Sequence, residues 1–280
     1  MIARRGSLPR RARGFTLTEL AVVVTIIALI LGGVVLTMGA VSSAREVEQT
    51  QRQLDEAREA LLGFFLRNGR FPCPAAPAAT GVESFVSPGA LPAPVASPAF
   101  DIRCSNPFDG FLPAVTLGLS RTDNQGYLQD AWGNRVRYAV TAWVPAPPFD
   151  AAQCPPNTAT PDFSKCPVFT TSGGVAARGL ANITASAATM LSVCNRLACG
   201  APAAPETQLT FFAPAVVFST GRNFAVVAPL LDELENVNND GIFVVHTPRP
   251  AGAAAGEFDD LVTWISPNIL YNRLIAAGAI

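Results

Sequence analysis

Histidine occurs once in the 280-residue chain, at position 246, and charged residues make up only 15 % of it. No His-Glu-x-x-His, Gly-x-Ser-x-Gly or phosphate-loop motif occurs, so the common hydrolase and nucleotide-binding signatures are missing. His246, at the end of an expected strand, reads as a structural or surface residue rather than a general base. The chain is not expected to be an enzyme. Basic surplus is also lacking. Beyond Gly69, 15 acidic residues stand against 11 basic ones, which leaves no electrostatic footprint for nucleic acid. Cysteine is absent before Cys73, and between Phe15 and Ala44 the sole charge is Glu19.

What the N-terminus does hold is ordered. Five arginines (Arg4, Arg5, Arg10, Arg11, Arg13) precede Gly14-Phe15-Thr16-Leu17-Thr18-Glu19-Leu20. An apolar run then extends from Leu20 to Val41, interrupted only by Thr25 and Thr37. That length suffices to cross a bilayer, which takes about 20 residues, and the arginines mark its cytoplasmic side. A carboxylate near the start of such a segment is expensive, so Glu19 is a candidate functional residue with a partner. A secretory signal peptide would be cut after its apolar core and would not carry this Glu. A plain signal anchor leaves Gly-Phe-Thr-Leu-Thr-Glu unexplained, and a lipoprotein needs a Cys directly after the apolar run.

Gly14, Phe15 and Glu19, with the leader and the apolar run, resemble the N-terminus of type IV prepilins and pseudopilins. The resemblance implies a leader of residues 1–14, removed by a prepilin peptidase between Gly14 and Phe15, and N-methylation of Phe15. It also implies that Glu19 pairs with the Phe15 amine of a neighbouring subunit during assembly. A carboxylate in a low-dielectric bundle of helices needs such an opposite charge. The implied partners are the peptidase, other pilin or pseudopilin subunits and the inner-membrane assembly platform. The implied place is the inner membrane, single-pass with a cytoplasmic N-terminus, and then a filament.

The apolar segment, residues 15–41, leads into a second helical stretch, 42–68. Val47, Leu54, Leu61 and Phe65 recur there at spacings of seven and four, with Ala57 and Phe64 beside them. Arg45, Glu48, Gln51, Arg52, Asp55, Glu59 and Arg67 occupy the opposite face, and Asn68-Gly69 supplies a stop before Pro72. The 24 prolines and 22 glycines point to a loop-rich body of short strands over residues 69–280. All six cysteines (Cys73, Cys104, Cys154, Cys166, Cys194, Cys199) lie in that body, which suggests disulfides formed in an oxidising compartment. Fifteen connectivities are open; the expectation is sequential pairing, 73–104, 154–166 and 194–199, each pair bracketing a loop. No Cys-x2-Cys pair argues for zinc.

Strands are expected from Arg135 to Ala142 after the turn Trp132-Gly133-Asn134, from Leu209 to Ser219, Phe224 to Leu230, Ile242 to His246 and Asp260 to Ile265. The segment Asp130-Ala131-Trp132-Gly133-Asn134 resembles the one that opens the sheet in many pseudopilins. Ala176–Leu191 is a candidate helix, and Ser266-Pro267 starts a last one over 268–277. Asn236-Val237-Asn238-Asn239-Asp240-Gly241 has the oxygen spacing of half a calcium loop. Thr247 stands where the bidentate Glu belongs. With carboxylates from the next strand, the candidate calcium set is Asn236, Asn238, Asp240, Asp259 and Asp260; an ordinary Asn/Asp-rich turn is the competing reading.

The expected fold class is therefore α+β and pilin-like. A long N-terminal helix, transmembrane in its first half, packs on an antiparallel β-sheet with long disulfide-clamped loops. The expected function is a structural, minor subunit of a type IV pilus or type II secretion pseudopilus. The alternative is a membrane-anchored periplasmic ligand- or substrate-binding protein that uses a pilin-type N-terminus for export.

Overall fold

A computed structural model describes residues 16–78, 80–86, 102–145, 148–179, 190–196, 208–224, 231–250, 252–254 and 256–278, the side chains of 31–41 and 231 excepted. The chain divides into two compact units, Met1–Val47 and Glu48–Ile280. One helix, α1 (Leu17–Asn68), runs through 52 residues. No proline falls inside it, so every residue along its length keeps an amide donor.

In the first unit α1 carries Leu20, Val22, Val23, Val24, Ile26, Ile27, Leu29 and Ile30 exposed. Thr25, the polar residue in this stretch, donates its hydroxyl to the Ala21 carbonyl at 2.7 Å, so it is satisfied within the helix. Among the described residues no helix is long and apolar enough to cross a membrane.

In the second unit α1 buries Leu54, Ala57, Leu61, Phe64 and Phe65, as the spacing predicts, and also Leu62, which it did not single out. Val47, counted in that stripe from sequence, is exposed. The helix ends where expected. Gly69 takes φ 66°, its amide donates to the Phe65 carbonyl at 2.7 Å, and the Asn68 amide group donates to the Phe64 carbonyl at 2.8 Å.

The helical stripe covers one face of a four-stranded antiparallel sheet. Its strands are β1 (Gly110–Phe111), β2 (Arg137–Val140), β5 (Ala215–Ser219) and β7 (Leu261–Ile265), in the order β1-β2-β5-β7. Tyr138 pairs with Val217, which pairs with Thr263. A second sheet joins β3 (Leu191–Cys194), β4 (Gln208–Ala213) and β6 (Ile242–Val244), in the order β4-β3-β6. Here β3 and β4 are antiparallel but β3 and β6 run parallel, so the architecture is not the single antiparallel sheet expected.

Two apolar clusters explain the layering. Tyr138, Val140, Ala215, Val217, Leu261 and Ile265 meet the helical stripe, together with Leu270, Tyr271 and Leu274 of α5 (Pro267–Ala276). Ala139, Val216 and Phe218 face the other way, against Leu191, Val193, Ala213 and Phe243 of the second sheet. Strand β5 is thus buried on both faces, which is why it reads as the unbroken run Ala-Val-Val-Phe.

The stretch Leu209–Ser219, expected as one strand, is two. Pro214 cannot donate to a ladder, and the chain changes sheets there, its carbonyl accepting from the Thr141 amide at 2.9 Å. Leu191, placed at the end of a helix from sequence, begins β3; the helix found nearby is α3 (Gly174–Arg178). The expected strand 224–230 lies outside the described residues beyond Phe224, itself in a turn. In the closing helix Ser266 takes the N-cap position and Pro267 the first turn, but the serine hydroxyl makes no capping bond. Short helices α2 (Ala114–Leu117) and α4 (Leu231–Glu235) complete the body.

Disulfides join Cys73 to Cys104 and Cys154 to Cys166, the first two sequential pairs. Cys194 is also disulfide-bonded, and Cys199 lies outside the described residues. Among the described residues both disulfide-closed loops carry little regular structure, so covalent closure supplies constraint that hydrogen-bonded ladders do not.

Leu61 is fully buried, whereas its helix neighbour Leu66 is 36 % exposed. Leu61→Ala is expected to cost about 2–5 kcal/mol in chemical denaturation and Leu66→Ala under about 1 kcal/mol. Equal losses would contradict the assignment of the buried stripe.

Candidate functional site

The N-terminal site is built from the first turn of α1. Leu17 is the first helical residue, which makes Thr16 the N-cap and Glu19 the third residue of the helix. The Glu19 carboxylate accepts the Thr16 amide at 2.9 Å and the Thr16 hydroxyl at 2.9 Å through the same oxygen, Oε2. In return the Glu19 amide donates to the Thr16 hydroxyl oxygen at 3.3 Å. The pattern Thr-x-x-Glu is a capping box, in which a side chain from each end satisfies an amide the helix leaves open. The sequence carries its signature as Thr16-Leu17-Thr18-Glu19, directly before the apolar run.

Glu19 is therefore engaged within its own chain and yet exposed to solvent. The carboxylate sits beside the peptide amides at the positive end of the helix dipole, where a negative charge is favoured. A cation approaching from outside can reach the carboxylate through Oε1, beside the two donors from Thr16 on Oε2. Gly14 and Phe15, the expected cleavage and methylation positions, lie outside the described residues.

In the body the five expected calcium residues separate into two groups. Asn238 donates to Glu235 at 3.1 Å and to Asp240 at 3.0 Å, while the Asp240 amide donates back to Asn238 Oδ1. Asp240 also accepts the Ile242 amide at 2.8 Å, so this half closes as an Asx turn leading into β6. Asn236 faces inward instead. Its Nδ2 donates to the Val244 carbonyl and to Asp260, and its Oδ1 accepts the Val244 amide, so the whole amide is spent on structure.

Asp259 and Asp260 meet Glu233 of α4, a residue that sequence spacing did not single out. One carboxylate oxygen from each lies within 4.8 Å of the others. Glu233 accepts from Asn223 and from the Asp259 amide, and Asp259 Oδ2 accepts the amides of Arg222 and Asn223. The five residues read from sequence thus do not share one coordination shell. Glu233 is 26 residues from Asp259 and joins it only through the tertiary packing of α4 on β6.

Burial pushes the Asp260 carboxyl up to about 8, and the nearby Glu233 and Asp259 charges add to the effect against the Asn236 hydrogen bond. Burial likewise raises Asp259, opposed by the Arg222 amide. Asp260 is 3 % exposed, so the protonated form is the one the fold favours.

His246 lies on the segment after β6, held at both ring nitrogens. One ring nitrogen meets Asp232 at 3.0 Å, the other meets the Thr247 carbonyl at 3.0 Å, and the ring stacks on Phe258 with centroids 3.7 Å apart. Arg249 donates to the same Asp232 oxygen at 2.9 Å. These contacts tie α4 to the segment after β6.

Residues 9–35 match the family model described as the prokaryotic N-terminal methylation motif, the leader signature of type IV pilins and pseudopilins. The match begins before the Gly14–Phe15 bond and ends within the apolar run, and it includes the Thr16–Glu19 capping box. No curated protein and no solved structure matches the chain.

The raised Asp260 carboxyl sets a direction for stability against pH. An unfolded Asp loses its proton near its ordinary value of 3.8, and the folded one near 8, so between those values the folded state holds one proton more. Stability then falls as pH rises through that window, on the order of 1 kcal/mol per pH unit. Thermal melting from pH 5 to 8 should show this decline, and Asp260→Asn should flatten it. An unchanged slope in the variant would rule out Asp260 as its source.

Proposed function

We propose that the chain is a structural, minor subunit of a type IV pilus or type II secretion pseudopilus. The observation that supports this most is the methylation-motif match over residues 9–35, which spans the Gly14–Phe15 bond and Glu19. Prepilin peptidase removes residues 1–14, Phe15 becomes the methylated N-terminus, and the apolar run of residues 15–41 holds the subunit in the inner membrane. The arginine-rich leader lies in the cytoplasm and the disulfide-bonded body in the periplasm. That body is consistent with an oxidising compartment, since disulfides persist there.

Assembly then proceeds by packing of apolar helices, with Glu19 as the register contact. The exposed surface from Leu20 to Ile30 is a contiguous apolar face of the kind that marks an interaction site. The capping box gives Glu19 an orientation before any neighbour arrives, its carboxylate held at the first turn where a neighbouring Phe15 amine has to dock. The body, with its disulfide-clamped loops, fits a minor subunit that primes or decorates a filament better than a uniform repeat. The role is structural rather than catalytic.

The test is the variant Glu19→Ala in a host that assembles the filament. Cleavage of the leader should proceed normally, and incorporation into sheared filaments should drop by an order of magnitude or more. Thr16→Ala, which removes the capping hydroxyl and leaves the carboxylate, should reduce incorporation less. Full incorporation of Glu19→Ala would favour the other class, a membrane-anchored binding protein that uses this N-terminus for export.

A further inference from the structure

At one edge of the four-stranded sheet lies a cleft of about 230 Å³ that the assembly role does not use. Backbone pairing sets its floor. Arg137 of β2 stands opposite Phe111 of β1 on one side and Phe218 of β5 on the other. Arg135, two residues earlier, shares the side of Arg137, and both alternate with the buried Val136 and Tyr138. Thr220 and Phe224 reach the cleft from the turn after β5. The Asn134 side-chain amide donates to the Gly221 carbonyl, which ties that turn to the one before β2. These bonds fix the wall before any ligand arrives.

Rings and guanidinium groups alternate along this edge. The Arg135 guanidinium lies 4.1 Å from the centre of the Tyr127 ring and 5.7 Å from that of Phe111. The Arg137 guanidinium lies 5.4 Å from the centre of Phe111 and 5.3 Å from that of Phe224. Each charge is already matched, Arg135 by Asp123 at 2.9 Å and Arg137 by Asp109. A guanidinium has five N–H donors, however. Arg137 spends its Nη1 on Asp109, while its Nε and Nη2 have no partner among the described residues and keep solvent access. Arg135 leaves Nη1 open in the same way, beside its bonds to Asp123 and Gln125. Thr220 adds a hydroxyl without a hydrogen-bond partner among the described residues, and the Phe224 ring is 37 % exposed.

We infer that this cleft binds a neutral hexopyranose sugar, whose C–H face packs on Phe224 while its hydroxyl oxygens accept from Arg137 and Arg135. The pairing of an apolar ring with open donors decides the class. A purely apolar ligand would strip water from those N–H groups and give nothing back, which costs free energy. An organic anion would find both guanidinium charges already matched by carboxylates, and would bring one charge in excess. A sugar ring carries an apolar face and a rim of uncharged acceptors, so it satisfies both parts of the wall at once. The volume, below the usual range for drug-sized pockets, holds about one such ring. Because stacking holds both guanidinium planes, binding costs little ordering of the donors.

The test uses the full chain in phospholipid nanodiscs, because many detergents carry sugar headgroups. Threonine methyl and arginine Nε signals are followed by NMR while methyl glucopyranoside is added. The Thr220 methyl and Arg137 Nε signals should shift to saturation. Cyclohexylmethanol, an apolar ring with one hydroxyl, and benzoate, an anionic ring, should each bind at least about fivefold more weakly. Arg137→Lys keeps a cation beside Asp109 but removes the open Nε and Nη2 donors. It should weaken glucoside binding about five- to tenfold, read at the Thr220 methyl. Phe224→Ala, at an exposed turn position, should weaken it about fivefold through the lost ring contact. Glucoside shifts that stay linear in concentration would overturn the site, as would equal or tighter binding of either control or full affinity in either variant. Should a variant fail to fold, the comparison of the three probes on the native chain still decides.

Discussion

Burial of one helical stripe on one sheet face underlies the arrangement of the body. Leu54, Ala57, Leu61 and Phe65 pack in one apolar cluster with the face that β2, β5 and β7 present. Once that face is covered, the reverse of β5 still carries Val216 and Phe218, which demand a second cover. The β4-β3-β6 sheet supplies it. The layering of helix, sheet and sheet therefore follows from a central strand that is apolar on both sides. The loops are what remains outside these layers, and the disulfides hold them where the layers offer no ladder.

The same helix begins with different demands. From Leu20 to Ile30 its apolar residues are exposed, and its first turn carries the helix's only charge before Arg45. A bare carboxylate would compete for any nearby donor. The capping box gives it two donors from Thr16, so Glu19 stabilises the helix start while keeping its second oxygen open. Capping and assembly are compatible on this geometry, because a carboxylate accepts more than two hydrogen bonds. The residue that reads as costly in a membrane-length segment has local partners from the outset.

Much of this was legible from local pattern. The end of α1 at Asn68-Gly69, the buried positions Leu54, Leu61 and Phe65, the closing helix after Ser266-Pro267 and two disulfide pairs all rest on short-range signals. The second sheet was not legible. Its parallel pairing of β3 with β6 joins residues about 50 positions apart, and no turn chemistry announces such a contact. Pro214 was visible, but its effect depends on which sheet lies on each side. Glu233 likewise gave no signal, since it meets Asp259 and Asp260 only after α4 folds against the end of β6. In contrast, Asn236 looked like a ligand from spacing because an Asn that bonds the backbone of a following strand and an Asn that binds a cation share the same local pattern.

The most direct measurement is the intact mass of the chain from its native host, taken before and after reduction with thiol alkylation. The predicted mass starts at Phe15, carries one added methyl group, and takes up no alkylating reagent until the disulfides are reduced. A chain that still begins at Met1 in cells with an active prepilin peptidase would contradict the assembly-subunit reading and leave the N-terminus as a plain membrane anchor.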